Sequence, residues 1–355
     1  MKIGLVGYQG SGKSTLFEWL TGIRPDPAVA HVGQSAMAPV PDERVRPLCE
    51  IYKPKKVTLA ALELVDTPGL SRTHEGNASR LVLIREAGCL VLVVAGFGGS
   101  DPLSELACFR EDFLLADLEI VSGRIDRLRE SVKKPRPNRE LEQADLAALE
   151  KVLASIEAGT PRTVAEMSDD ELKATRSFRL LTEKPTLVIV NCADDDDDLE
   201  RFARSGAPPP PGAAPDQAGT CGPQMIGVRA GLELELARMS ESDRVDFERE
   251  MGLRPSRRDD VLRTVLDASG QMLYFTAGEK EVRTWMLHKG GTALEAADNI
   301  HTDLARGFIR AETMQCADLI RLGSEREIKA AGLVRQEPKD YVIRDGDILN
   351  IKFSV

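Results

Sequence analysis

The sequence predicts an α/β protein on a mainly parallel sheet, with a helical hairpin inserted into it and a small α+β unit toward the C-terminal end. Three observations lead there. An apolar strand at residues 2–6 runs into a glycine-rich loop and then a helical pattern. Continuous apolar runs recur at residues 90–95 and 186–190, as in parallel strands buried on both faces, and helical stretches separate them. From about Gln271 the pattern changes to short strands around turns.

Length and composition bound the answer. The 355 residues suggest about two to three domains at roughly 150 residues each. Lys and Arg number 47 against 57 Asp and Glu, a net charge of −10 that excludes a globally basic nucleic-acid coat but leaves room for a local basic patch. The 42% hydrophobic content supports real cores, and 5% aromatics argues against a base-stacking surface. Six cysteines (Cys49, Cys89, Cys108, Cys192, Cys221, Cys316) form no Cys-x-x-Cys knuckle and read as free thiols in a reducing compartment. The longest apolar run, residues 89–95, falls far short of the ~18 residues that span a bilayer. The glycine-rich loop beginning at Gly7 is unlike a signal peptide, so the expectation is a soluble, cytoplasmic protein with no membrane partner.

Along the chain, residues 16–20 read as a helix after the first strand, and residues 59–65 as a second strand ending at Asp66-Thr67-Pro68-Gly69. Residues 90–95, 186–190 and 225–228 continue the sheet. Leu114, Leu118, Val121, Ile125 and Leu128 follow a 4-3-4-3 spacing, and Leu146, Leu149, Leu153 and Ile156 a 3-4-3 spacing. Pro135 and Pro137 separate the two, so a helical hairpin fits, with two ordinary surface helices as the alternative. The acidic run at residues 194–198 and the Pro/Gly/Ala-rich residues 207–222 read as a solvated loop. Residues 272–275 and 282–287 read as a hairpin around Gly278, followed by a helix at 294–300 and strands at 341–344 and 348–355. The division expected is a first sheet part at 1–113, a helical insertion at 114–182, a second sheet part at 183–270 and a C-terminal domain at 271–355.

Gly7-Tyr8-Gln9-Gly10-Ser11-Gly12-Lys13-Ser14 fits G-x-x-x-x-G-K-[ST], placed between a strand and a helix. Such a loop cradles phosphates with backbone N–H groups and a helix N-terminus. Gly10, Ser11, Gly12, Lys13, Ser14 and Thr15 are the expected phosphate-binding residues, with Lys13 on the β- and γ-phosphates. Ser14 and Asp66 are the expected Mg²⁺ ligands, Asp66 ending a strand where a metal-holding carboxylate belongs. Asp66-Thr67-Pro68-Gly69 is the D-x-x-G form of G-protein-like NTPases, in which the Gly69 N–H would sense the γ-phosphate. Leu70 stands where many GTPases carry a water-orienting Gln, a task Leu cannot perform; His74 and Glu75 lie downstream as weaker catalytic candidates. Asn191-Cys192-Ala193-Asp194 occupies the place of the base-reading Asn-Lys-x-Asp, with Cys192 for Lys. Asp194 could accept from the two adjacent donors of guanine, and Ala230, in Arg229-Ala230-Gly231, could offer a backbone N–H to the base.

These residues give the chain a resemblance to the Obg-like ATPases, the YchF group of translation-factor-class P-loop NTPases. It runs nearly end to end: Pro41-Asp42-Glu43-Arg44, Glu50-Ile51-Tyr52-Lys53-Pro54 and the Asp66 loop look like that family. Tyr274-Phe275-Thr276-Ala277-Gly278-Glu279-Lys280-Glu281-Val282-Arg283, His301 through Glu312, and Asp340 through Asp347 resemble its ubiquitin-like TGS domain. The resemblance implies a P-loop NTPase G domain interrupted by a coiled-coil arm and followed by a TGS (β-grasp) domain. It also implies ATP hydrolysis in preference to GTP, a hydrophobic residue at Leu70, association with ribosomes and a link to stress responses. The chain departs from the family at four points: Gly10-Ser11 replaces Asn-Val, Asp194 replaces Glu, Ala30 stands near a switch Thr (with Ser35 as a substitute metal ligand), and the loop after Leu70 is shorter.

The reading with most support is a nucleotide-dependent switch hydrolysing ATP, with GTP as the alternative substrate, Mg²⁺ as cofactor and K⁺ as a further candidate. Lys13, Gly69 and Leu70 form its expected catalytic set. Its expected partner is the ribosome. Lys53, Lys55 and Lys56, and Arg254, Arg257 and Arg258, are candidate rRNA contacts, and a monomer is favoured. The alternatives are a nucleotide-binding scaffold with little hydrolysis, which Ala30 and Leu70 would suit, and a P-loop kinase, which the Asn191 motif disfavours.

Overall fold

The structure is a computed structural model and describes residues 1–134, 137–162, 166–205, 224–252 and 257–354. The N-terminal part runs β1 (Lys2–Val6), α1 (Lys13–Thr21), a 3-10 turn at Pro27–Val29, β2 (Gln34–Pro39), α2 (Val45–Tyr52), β3 (Lys56–Thr58), β4 (Ala61–Asp66), α3 (Asn77–Arg85) and β5 (Cys89–Gly96). There follow α4 (Pro102–Ser131), α5 (Arg139–Glu157), α6 (Asp169–Thr175), β6 (Thr186–Cys192), α7 (Glu200–Ser205), β7 (Gln224–Val228), α8 (Ala230–Arg238) and α9 (Glu241–Met251). The remainder is α10 (Arg258–Ala268), β8 (Gln271–Ala277), β9 (Glu281–His288), α11 (Ala293–Ile300), α12 (Thr302–Arg306), β10 (Phe308–Gln315), α13 (Cys316–Leu322), α14 (Glu325–Ala330), β11 (Arg335–Glu337) and β12 (Asp347–Phe353).

Contacts group the chain into two compact units, Met1–Ala36 with Glu63–Ser256, and Met37–Leu62 with Arg257–Val355. This differs from the four-part division read from sequence, because it groups residues 37–62 with the C-terminal stretch and does not separate the helical segment from the sheet it leaves.

The sheet of the first unit has the order β2-β4-β1-β5-β6-β7. β1 pairs in parallel with both β4 and β5, β5 with β6, and β6 with β7. β5 is buried from Cys89 to Ala95, which is why its sequence is unbroken Val, Leu and Ala rather than alternating. β1 lies between β4 and β5, and its four residues after Lys2 are all buried. The loops at the C-terminal ends of β1 and β4 therefore emerge side by side, at the edge where open α/β sheets build sites.

α4 is a single helix of 30 residues, about 45 Å long at 1.5 Å per residue. Asp101 caps it by accepting from the Leu103 N–H at 3.1 Å, and Pro102 stands at its first turn. Its start packs Leu106, Phe109 and Phe113 into the sheet core. Its later turns pack Val121, Ile125 and Leu128 against Leu149, Val152 and Ile156 of α5, with Leu114, Leu118, Leu146 and Leu153 alongside. Every position of the two heptad-like series falls in this one cluster, so the helices form the hairpin. The helix begins at Pro102, however, well before the expected residue 114.

In the second unit the order is β11-β10-β12-β8-β9-β3, with β8 and β9 forming the expected antiparallel hairpin. A capping box, Thr292 with Glu295, starts α11, whose alanines pack beneath Tyr274 and Leu287. The expected strand at residues 341–344 does not form. Its backbone is spent on the turn before α11, Ile343 N–H on Gly291 O at 2.9 Å and Tyr341 O on Ala293 N–H at 2.8 Å. β10, with Arg310 and Glu312 interrupting its apolar alternation, was not expected as a strand, nor was β2. The expected first helix and second strand are displaced by a few residues, to Lys13–Thr21 and Ala61–Asp66. Cys49, Cys89, Cys108, Cys192 and Cys316 are free thiols, while Cys221, Pro135, Arg254 and residues 207–222 lie outside the described residues. Among the described residues, no helix is long and apolar enough to cross a membrane.

The joint between the hairpin and the sheet is a buried charge cluster. Asp117 is fully buried and accepts from the Leu181 and Thr182 N–H groups at 3.1 and 2.9 Å, while Arg85 Nη1 pairs with it at 2.6 Å. Beside it, Glu183 Oε1 is buried with no hydrogen-bond partner, and burial pushes this carboxyl up to about 7. Asp117 adds to that rise, and Thr175 and Lys184 oppose it. Between the ordinary value of 4.5 and about 7 the folded chain keeps a proton that the unfolded chain has released. The contribution of this group to stability is therefore present below the ordinary value and lost as pH rises through about 7. Glu183→Gln, permanently neutral, should melt at a higher temperature than wild type at pH 8, with the gap closing toward pH 5. Thermal unfolding at both pH values checks this, and a pH-independent gap would contradict it.

Candidate functional site

The glycine-rich loop leaves β1 and turns into α1 through two left-handed glycines, Gly10 at φ 84° and Gly12 at φ 85°. A Cβ on Gly12 would strike the Asn191 side-chain amide, so only glycine fits this turn. Gly12 is also the N-cap of α1, and no side chain caps the helix. The helix carries no acidic residue of its own in its first turn, so its positive dipole end has no neutralising charge from within the helix. An anion-binding cradle results.

The loop is zipped to the Asp66 loop. Leu70 N–H donates to Gly7 O and Gln9 N–H to Leu70 O, both at 3.0 Å. Thr67 Oγ1 donates to Leu5 O at 2.6 Å. The parallel register sets Asp66 beside Leu5, so its carboxylate reaches the start of α1. Lys13 Nζ lies 2.7 Å from Asp66 Oδ1, and Ser14 Oγ donates to Asp66 Oδ2 at 2.8 Å. All three border a cleft of about 870 Å³ that Gly10, Gly12, Gly69 and Ala30 also line.

Leu70 itself does not face that cleft. Its side chain is fully buried with Val6, Tyr8, Leu81 and Ile84. The Asp66 loop thus offers the cleft its Gly69 backbone, while the leucine anchors the loop from behind. Ser35 lies on β2 outside the cleft lining, so the structure does not bring it to the position Ala30 leaves short of a ligand.

The loop after Leu70 is held in two places. Asn77 is buried and takes Ser71 by both backbone groups, accepting from its N–H at 2.8 Å and donating to its carbonyl at 2.9 Å. His74, in the left-handed region at φ 61°, points Nδ1 to Asp112 of α4 at 2.9 Å. Tyr8 donates its hydroxyl to the same carboxylate at 2.9 Å and stacks on Phe109 with ring centroids 4.3 Å apart. Burial first, then Asp112, drives the Tyr8 phenol far above its ordinary value, so it remains a donor at any working pH. Arg72 reaches Glu105 of α4 at 3.4 Å and lies over the Tyr8 ring. Burial raises the Glu105 carboxyl, against the Ala95 N–H and Arg72. His74 is thus engaged with α4 outside the cleft lining, and Glu75 enters only through its carbonyl, which Arg80 Nη1 reaches at 3.3 Å.

Arg80 is the residue that motif reading missed. It stands on α3 and lines the same cleft as Lys13 and Asp66. No motif spacing marks it, and only the position of α3 brings it there.

The expected base-reading residues form a second cluster. Asn191 donates from Nδ2 to Ser11 O and accepts at Oδ1 from the Ala230 N–H, both at 3.1 Å. It ties the phosphate loop to the start of α8. Asp194 Oδ1 accepts from the Leu232 N–H at 3.1 Å. These three residues come together but are not part of the phosphate-cleft lining. Cys192, in the place of the usual Lys, is buried, and burial pushes its thiol up to about 11.

The donor set fits Mg²⁺. A hydroxyl and a carboxylate converge at the cleft, both hard oxygen ligands, and the Asp66 oxygens are already held by a cation and a donor. Among the described residues there is no group of three or more His, Cys, Asp or Glu that could hold a metal. Most of the six oxygens Mg²⁺ requires would therefore come from phosphate and water, as is usual for this ion.

The chain matches two family models. Residues 2–121 match one described as a 50S ribosome-binding GTPase, and residues 272–354 match the C-terminal model of the YchF GTPases, described as a protein of unknown function. It is 34% identical to the ribosome-binding ATPase YchF of Haemophilus influenzae, over 100% of this chain and 99% of that one. It is also 34% identical to Obg-like ATPase 1 of Oryza sativa, over 100% of this chain and 92% of that one. The structure of the Schizosaccharomyces pombe YchF GTPase superposes with a TM-score of 0.80 at 27% identity, covering 99% of this chain and 97% of that one. At 34% identity to these relatives over its whole length, the chain belongs to the YchF family of Obg-like ATPases.

Proposed function

We propose that this chain is a nucleotide-dependent switch that binds and hydrolyses ATP and associates with the ribosome. The observation that carries the hydrolytic reading is the convergence of Lys13 and Ser14 on the two oxygens of Asp66, beside an uncapped helix N-terminus. A buried lysine paired with a carboxylate is a stored cation. When a triphosphate enters, Lys13 exchanges Asp66 for phosphoryl oxygens, and the Gly10–Thr15 backbone takes the rest of the charge. Mg²⁺, held by Ser14 and Asp66, supplies further positive charge to the phosphate oxygens when bound. Gly69 presents its backbone to the terminal phosphate, and Leu70 positions that backbone by packing beneath it.

Relatives of this chain are named ATPases, which supports ATP as substrate. The shorter Asp194 carboxylate keeps GTP as the second reading. Asn191, Asp194 and Ala230 are the proposed base-side residues: Asn191 fixes the ring-binding edge through Ser11 and Ala230, and Asp194 retains Oδ2 for the base. The names of the relatives also support the ribosome as partner. Lys53, Lys55, Lys56, Arg257 and Arg258 are proposed as rRNA contacts, with Lys56 sharing its charge with Glu281 at 3.5 Å. We retain the division into a G domain at 1–113 and 183–270, an arm at 114–182 and a TGS domain at 271–355, and a cytoplasmic monomer, as part of this proposal.

Lys13→Ala should lower phosphate release by about 100-fold or more, in line with losing a principal phosphate-charge contact. Release assays with and without K⁺ and ribosomes check this, and turnover equal to wild type would place hydrolysis elsewhere. Titration calorimetry with non-hydrolysable ATP and GTP analogues should give tighter binding of the ATP analogue, and the reverse order would make this chain a GTPase. In sucrose gradients the protein should move with ribosomes in a nucleotide-dependent way, and no such movement would contradict the partner.

A further inference from the structure

Leu70, where many GTPases carry a water-orienting Gln, is buried behind the phosphate cleft, yet the cleft holds a second cation. Arg80 is half-buried on α3 and lines the cleft with Lys13, Asp66 and Gly69. Its Nη1 donates to Glu75 O at 3.3 Å and to Asn77 Oδ1 at 3.2 Å, both neutral acceptors. Among the described residues, no carboxylate comes within ion-pair distance of it. The contrast with its neighbours is sharp: Arg72 pairs with Glu105 at 3.4 Å, Arg85 with Asp117 at 2.6 Å, and Lys13 with Asp66 at 2.7 Å. Arg80 alone of these four brings a positive charge to the region without a counter-charge.

Its position is also tied to the loop that would sense phosphate. Arg80 hangs from Asn77 Oδ1, the same atom that accepts the Ser71 N–H. Ser71 follows Leu70, whose backbone is bonded to Gly7 and Gln9 of the cradle. The backbone after Gly69 and the Arg80 guanidinium are thus joined through the one Asn77 side chain. A guanidinium presents a fixed fork of donors matched to phosphoryl oxygens, and it keeps its charge throughout.

We propose that Arg80 is a catalytic residue supplied in cis, which contacts the terminal phosphoryl oxygens and stabilises their charge during hydrolysis. The inference rests on the hydrolytic reading given above. A water oxygen forms the new bond to the terminal phosphorus, and the bond from that phosphorus to the bridging oxygen breaks. The bonding electron pair stays on the diphosphate, and the proton released from water ends on the phosphate product or in solvent. Arg80 neither gives nor takes a proton; it offsets charge that grows on the equatorial and bridging oxygens.

Three proteins test this: wild type, Arg80→Ala and Arg80→Gln, the last retaining a donor for the Glu75 carbonyl. Expected is a fall in kcat of about 100-fold in both variants, with diphosphate affinity within about threefold of wild type. A fall under about tenfold, full activity in Arg80→Gln, or a loss of diphosphate affinity as large as the loss of kcat would overturn the proposal. The ratio of affinities for a non-hydrolysable triphosphate and the diphosphate reads the same contact without turnover. It should drop at least about tenfold in both variants, and an unchanged ratio overturns the proposal. Wild type that shows no Lys13-dependent turnover but a ratio sensitive to Arg80 would sink the hydrolytic reading while leaving the phosphate contact of Arg80 standing.

Discussion

One carboxylate organises the site. Asp66 receives Lys13 on one oxygen and Ser14 on the other, and this works only because β1 and β4 run parallel and adjacent in a register that sets Asp66 beside Leu5. An antiparallel neighbour would send the two loops to opposite ends of the sheet. The Gly7–Leu70–Gln9 hydrogen bonds then hold the two loops as one surface, and the left-handed turns at Gly10 and Gly12 aim the start of α1 at the same point. An uncompensated Lys or Asp at this depth would be costly, and each supplies the other's counter-charge.

The same constraint extends into the helical arm. Tyr8, within the cradle, bonds Asp112 of α4, and His74 and Arg72, beyond the Asp66 loop, reach Asp112 and Glu105 of that helix. α4 is unbroken from these contacts into the hairpin core at Val121 and Ile125. Between the two stands Asp117, fully buried and bonded to the chain returning from the hairpin at Leu181 and Thr182. The phosphate loops and the base of the arm thus share one rigid element, held by polar groups that are costly to leave unpaired.

Much of this was legible in the sequence, and the reasons differ by element. The cradle announces itself because its chemistry needs glycine at fixed places, and the strands because burial on both faces forbids alternation. The hairpin seam is visible because the apolar residues that pack its two helices together recur at heptad-like spacing on each. Leu70 could be read from sequence as a side chain unable to orient water, but its burial, which makes it an anchor of the loop rather than part of the cleft lining, depends on α3 and β1 closing over it. Arg80 was invisible for the same reason: a cation on an ordinary helix acquires meaning only from what the helix faces. β10 escaped because Arg310 and Glu312 interrupt its apolar pattern, and 341–344 was read as a strand because composition does not reveal where backbone hydrogen bonds are spent. The grouping of residues 37–62 with the C-terminal unit is a matter of topology that no local pattern encodes.

The central claim is that Asp66 trades Lys13 and Ser14 contacts for a metal when nucleotide binds. It is tested most directly by measuring, in wild type and Asp66→Ala, the affinity of a non-hydrolysable ATP analogue across a Mg²⁺ titration. Wild type should bind more tightly as Mg²⁺ rises, and Asp66→Ala should show a markedly weaker dependence on Mg²⁺, since the carboxylate that would hold the ion is gone. A Mg²⁺ dependence equal in the two proteins would contradict the account.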